Sequence, residues 1–128
     1  MAKKPAKKET NEGAKEEKQA KSKIGIDVLN MPEKTCNDKK CPFHGNLKVH
    51  GAIIVGKVIS SKASKTVTIS YIYNAYIPKY ERYEKKYTKV KAHNPECIDA
   101  KEGDTVRIIE TRPLSKTKNF TVVEKIKQ

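Results

Sequence analysis

Residues 103–118 read GDTVRIIETRPLSKTK, and how this stretch is understood decides the fold. Val106 and Ile108 have the period-two spacing of a half-buried strand. The same parity continues into Glu110 and Arg112, followed at once by Pro113 and a basic turn. Gly103-Asp104 is suited to the turn that delivers a chain into a strand. Pro113, which has no N–H to donate, marks where the strand leaves its sheet. A strand that starts toward a hydrophobic interior and ends in charge has outrun that interior. On this reading Arg112 faces a partner, Glu110 orients its guanidinium, and Ser115, Lys116 and Lys118 lie within reach of the same polyanion. The plainer alternative is an exposed ion pair at a strand end, worth about 0–1 kcal/mol.

Working outward, the chain from Gly51 is punctuated like a β-protein. GAIIVGKVIS reads as a first strand, with Gly56 as a bulge or bend. SSKASK is a turn. TVTISYIY follows, placing Val67, Ile69, Tyr71 and Tyr73 on one face and Thr66, Thr68 and Ser70 on the other. YTKVKAH, TVRIIET and NFTVVEKI complete five short strands. The expected fold is all-β, an OB-fold-like five-stranded barrel over residues 51–128 with a long hairpin loop between strands 2 and 3. Residues 24–50 are read as a loop-rich extension packed on the barrel through Ile24, Ile26 and Val28. Residues 1–23 carry eight Lys against four Glu and no apolar side chain larger than Met. A segment this polar is expected to be a disordered basic tail.

Composition narrows the function. The chain has 128 residues, no Trp and two Phe, and is 36% hydrophobic, against about 45–50% in ordinary domains. Its formal charge of +13 points to nucleic acid or another acidic surface. Residues 24–128 keep 20 basic and 11 acidic side chains, so the excess belongs to the barrel as well as the tail. No secretion signal is visible, and Ala52–Val55 falls far short of the ~20 apolar residues that span a bilayer. Three cysteines are expected to be reduced thiols in the cytosol.

The connection YIPKYERYEKKYTKVKAH, residues 76–93, interleaves Lys79, Arg82, Lys85, Lys86, Lys89 and Lys91 with Tyr76, Tyr80, Tyr83 and Tyr87, and ends at His93. Cations neutralise phosphates while aromatic rings stack on bases or pack on sugars. The same tyrosine spacing also fits one stripe of a helix. The charge around the rings favours an extended hairpin loop that becomes ordered on a partner. The turns at 60–66, with Lys62, Lys65 and Thr66, and at 113–118 supply further short donors for a sugar–phosphate backbone.

Cys36, Cys41, His44 and Cys97 have the types of zinc ligands. The four residues between the first two cysteines depart from the two usual in zinc knuckles, however, and no second compact pair follows. Buried thiols are the competing reading, and no metal or cofactor is assigned. The chain has no phosphate-cradling glycine loop, nucleophile elbow or H-E-x-x-H, and His44, His50 and His93 stand apart. No enzyme activity or small-molecule substrate is expected.

Gly103-Asp104-x-Val106-x-Ile108-x-Glu110-x-Arg112-Pro113-Leu114-Ser115, with Lys116-Thr117-Lys118, closely resembles the signature of the small-subunit ribosomal protein family numbered seventeen (S-seventeen, universal type). The resemblance covers most of residues 24–126. CNDKKCPFHGNL, SKASKTV, YIPKYERYEKKY and AHNP resemble its archaeal branch. The resemblance implies an OB-type barrel that binds the 5′ domain of small-subunit rRNA during assembly, among other small-subunit proteins in the cytoplasmic ribosome, with no membrane partner. The family pattern offers no guide to residues 1–23. A free OB-fold factor for single-stranded nucleic acid is the alternative, and a zinc-stabilised interaction module a third reading.

Overall fold

The computed structural model describes residues 24–126, so the expected basic tail lies outside the described residues. Five strands form a closed barrel in the order β1-β2-β3-β5-β4, confirming the OB-type reading. They are β1 (Val49–Ser60), β2 (Thr66–Ile77), β3 (Arg82–His93), β4 (Thr105–Thr111) and β5 (Lys118–Ile126). Neighbours pair antiparallel except β3 with β5, whose parallel contact closes the barrel.

The period-two pattern in the opening stretch is borne out at its apolar end. Val106 and Ile108 lie in the interior with Val58, Val67, Ile69, Ala92 and Val122. Gly103 turns the chain at φ +93°, a conformation that costs side-chain-bearing residues about 1–2 kcal/mol. The β4 strand ends at Thr111, two residues before Pro113. Tyr71 and Tyr73 keep the parity of Val67 and Ile69, but they have left the barrel; Tyr71 is half-buried and Tyr73 exposed.

A second apolar layer lies outside the barrel. Ile109 and Val123 meet Val28, with Ile26, Phe43 and Val49 packed around them. The β4 strand is therefore buried on both faces, which accounts for two adjacent isoleucines in an otherwise alternating strand. Beside this layer the Glu124 carboxylate, its side chain 1% exposed, faces Arg107 at 3.1 Å. That contact is an ion pair without hydrogen-bond geometry at Oε1. Oε2 accepts the Leu29 amide at 2.9 Å, and Arg107 also donates to the Asp27 carbonyl at 3.3 Å. Main-chain groups of the extension are thus tied to the barrel by charge as well as by Val28.

The reading of Gly56 changes. Gly56 is not the bulge; β1 shifts register on either side of it, against β4 between Val49 and Ile53 and against β2 between Val58 and Ser60. Gly56 instead permits close approach, because a Cβ there would lie 2.6 Å from Ile69 Cγ2 and 2.7 Å from the Ser70 carbonyl oxygen. The expected result of Gly56→Ala is a loss of about 3 kcal/mol, the upper end for overpacking a core, measured by denaturant unfolding. A loss below about 1 kcal/mol, the floor for such overpacking, would show that β2 yields freely.

Candidate nucleic-acid interface

The connection between strands 2 and 3 is more regular than its sequence suggested. The β2–β3 ladder runs unbroken from Thr66↔His93 to Ile77↔Arg82. Pro78–Tyr80 then form a single 3-10 turn, and Glu81 closes the tip at φ 50°. The helical alternative for the tyrosines is excluded. The strand signal was hidden because this outer part of the hairpin has no buried face, and hydrophobic alternation reports a strand only where one side is covered.

Alternation sorts the hairpin's side chains into two faces. Along β3 one face carries Tyr83, Lys85, Tyr87, Lys89 and Lys91 in succession, opposite Tyr76, Asn74, Ile72, Ser70 and Thr68 of β2. The rings stand in the open: Tyr83 is 73% exposed and Tyr87 70%. Tyr76 leans on Tyr83 with ring centroids 5.3 Å apart. Arg82 and Lys86 lie on the opposite face, where Lys86 pairs with Glu84 at 3.5 Å. Lys79 and Tyr80 occupy the tip, the ammonium 5.4 Å from the ring centre.

The stripe continues around the barrel. Lys91 is paired in register with Lys118, whose Nζ donates to Thr66 Oγ1 at 3.1 Å. The basic turn 113–118 therefore joins both the foot of the hairpin and the end of the 60–66 turn. Ser115 Oγ accepts the Lys118 amide at 3.2 Å, holding the turn, while Arg112 and Lys116 remain exposed. Sequence reasoning missed Lys40, which reaches the Leu114 carbonyl at 3.5 Å; the adjacent Lys39-Lys40 pair was its only signal. It also left Ile72, 58% exposed among the tyrosines, out of the candidate set.

Other expectations are corrected. Glu110 does not orient Arg112; its Oε2 accepts the Ala52 amide at 3.3 Å, filling the β1 irregularity where Gly51 adopts φ +82°. His93 has the parity of the lysine stripe but is buried, its Nε2 2.9 Å from Asp38 Oδ2. It is therefore unavailable to a surface partner. Burial lowers the His93 pKa below its usual range, helped by Lys118 and Lys40 and opposed by Asp38. Burial alone would raise Asp38, but the Lys40 amide, His93 and Lys65 together hold it below the ordinary carboxylate value. Lys62 is exposed, whereas Lys65 is engaged by Glu96 at 2.9 Å and Asp38 at 3.9 Å. Cys36, Cys41, His44 and Cys97 are brought together on the extension side, despite their unpromising spacing.

A family model described as Ribosomal protein S17 matches residues 56–124, from the middle of β1 into β5. The chain belongs to the ribosomal protein S17 family. Its archaeal relatives are close. A small ribosomal subunit protein uS17 of Methanocaldococcus jannaschii is 58% identical over 103 residues, covering 80% of this chain and 87% of the relative. Proteins of the same name from Methanococcus maripaludis and Picrophilus torridus are 56% identical over 104 residues and 55% over 103. They cover 81% and 80% of this chain and 94% and 96% of their own lengths. These spans are longer than the family-model match and exceed the barrel's length.

Proposed function

We propose that this S17-family chain is a structural, non-catalytic constituent of the small ribosomal subunit that binds folded small-subunit rRNA, in the 5′ domain, and supports subunit assembly. The observation that carries this reading is the Tyr83-Lys85-Tyr87-Lys89-Lys91 stripe and its continuation onto the Lys118 turn. Ammonium groups spaced along a strand can follow a phosphate backbone, and rings between them can seat against sugars or unstacked bases. The hairpin presents both on a two-stranded ladder that is already formed from Thr66↔His93 to Ile77↔Arg82, so little ordering is required on contact. Arg112, Ser115 and Lys116 extend the grip at the turn, Lys62 at the neighbouring loop, and Lys79, Tyr80, Arg82 and Lys86 around the tip. Other small-subunit proteins are the expected neighbours, and the cytoplasmic ribosome the expected location.

A free OB-fold factor would instead favour unpaired strands laid across its sheet. Competition separates the two. A folded rRNA 5′-domain fragment should displace a bound unpaired oligonucleotide, while an excess of that oligonucleotide should fail to displace the fragment. Preference for the oligonucleotide would overturn the ribosomal reading.

A further inference from the structure

The extension carries a second built feature that the stripe does not use. Three residues of its tight loop, Cys36, Cys41 and His44, turn toward Cys97 of the turn after β3. Their ligand atoms all lie within 4.8 Å of one another. Three of the six edges are Cys36 Sγ to His44 Nδ1 3.4 Å, Cys41 Sγ to His44 Nδ1 3.7 Å and Cys41 Sγ to Cys97 Sγ 3.6 Å. A tetrahedron with zinc–sulfur bonds of about 2.3 Å and a zinc–nitrogen bond of about 2.05 Å has edges of about 3.8 Å between sulfurs and about 3.5 Å from sulfur to nitrogen. These three edges agree to about 0.2 Å, and the other three lie within 4.8 Å.

Independent features of the loop favour the same assignment. The Cys41 amide donates to the Asp38 carbonyl at 3.1 Å and the Gly45 amide to the Cys41 carbonyl at 3.0 Å, folding the chain back on itself. A Cβ at Gly45 would stand 2.5 Å from the Lys39 carbonyl oxygen, so the fold-back needs glycine. Burial raises the Cys41 thiol above its usual pKa, and the Phe43 and His44 amides, both directed at its sulfur, oppose that rise. Cys41 and Cys97 are buried, and Phe43 anchors the loop in the outer apolar layer.

We propose that Cys36, Cys41, His44 and Cys97 form a closed structural zinc site clipping the N-terminal extension to the turn that follows β3. Four protein donors leave no open coordination position, so the role is architectural. Sulfur-rich tetrahedral donors suit zinc rather than magnesium or calcium. The clip holds Asp38 over His93 and lines one cavity with Cys36, Lys39, His44 and Arg112. It thereby sets the Lys39-Lys40 loop beside the basic turn. The proposal is independent of the rRNA reading, since metal content is measured without RNA.

The test uses the full-length chain purified without chelator. One zinc per chain is expected by elemental analysis. Stripping it should lower Tm by roughly 10 °C or more, restored by zinc. Cobalt(II) added to the stripped chain should give the intense visible bands of a tetrahedral ion and a thiolate-to-cobalt charge-transfer band, and Cys97→Ser should change both. The cobalt spectrum of the unsubstituted chain decides the matter even if Cys97→Ser fails to fold. A metal-free chain with unchanged Tm, an octahedral cobalt spectrum, or a Cys41–Cys97 disulfide in reductant-free protein would each overturn the site.

Discussion

Raising salt from about 50 to 200 mM should weaken binding to a folded small-subunit rRNA fragment by roughly 10³–10⁵-fold, the response expected when about six to ten phosphates are neutralised on a duplex. The exposed cations that make this number reachable are Lys85, Lys89 and Lys91 on the hairpin, Lys62 beside it, and Arg112 and Lys116 at the turn. Replacing Lys85, Lys89 and Lys91 by Ala should make the slope of log affinity against log salt shallower by about three, one for each lost phosphate contact. Arg112→Ala with Lys116→Ala should likewise lose affinity and about two units of slope, with the fold intact. Tyr83→Ala and Tyr87→Ala should behave differently, each costing about 1–3 kcal/mol if a base stacks there while leaving the salt slope unchanged. Filter binding across a salt series reads all of these. A nearly flat response from the unsubstituted chain would eliminate the phosphate clamp.

Arg107→Ala should destabilise the chain by about 3–5 kcal/mol, the cost of leaving a buried carboxylate without its cation. Once the guanidinium is gone, Glu124 retains, among the described residues, only the Leu29 and Asn30 amides, at 2.9 and 3.4 Å. The Asp27 carbonyl loses its donor in the same step. Amide exchange at Leu29 and Asn30 should accelerate before the barrel opens, because they lie on the side of the contact with fewer buried neighbours. Adding Glu124→Gln removes the stranded charge and should recover part of the loss, giving non-additivity between the two sites. Denaturant midpoints for the two single variants and the double variant measure the coupling. A cost for Arg107→Ala below about 1 kcal/mol would place the pair among ordinary surface contacts.

The barrel was legible where burial is one-sided. Val67, Ile69, Val106 and Ile108 alternate with polar residues, and that alternation alone names strands and their inward face. Gly103 and Pro113 bracketed β4 for local reasons, a positive φ at one end and a missing N–H at the other. The hairpin beyond Tyr73 was legible as chemistry but not as geometry. Its lysines and tyrosines announced an anionic partner, yet with both faces wet they carried no mark of register. Glu110 misled because parity placed it with Arg112, while the acceptor was needed across the sheet, at the Ala52 amide. His93 misled in the opposite direction, since its parity is that of the exposed stripe.

Composition, alternation and turn residues thus sufficed for a small basic β-barrel with a polyanion-binding character, because each acts over a few residues of chain. Which lysines share a face with the tyrosines, what covers His93, and where Cys97 meets Cys41 depended on the closed barrel. Those contacts join residues as many as 56 positions apart. No local preference encodes such distances; they follow from how five strands close around one core and where the extension is then pressed.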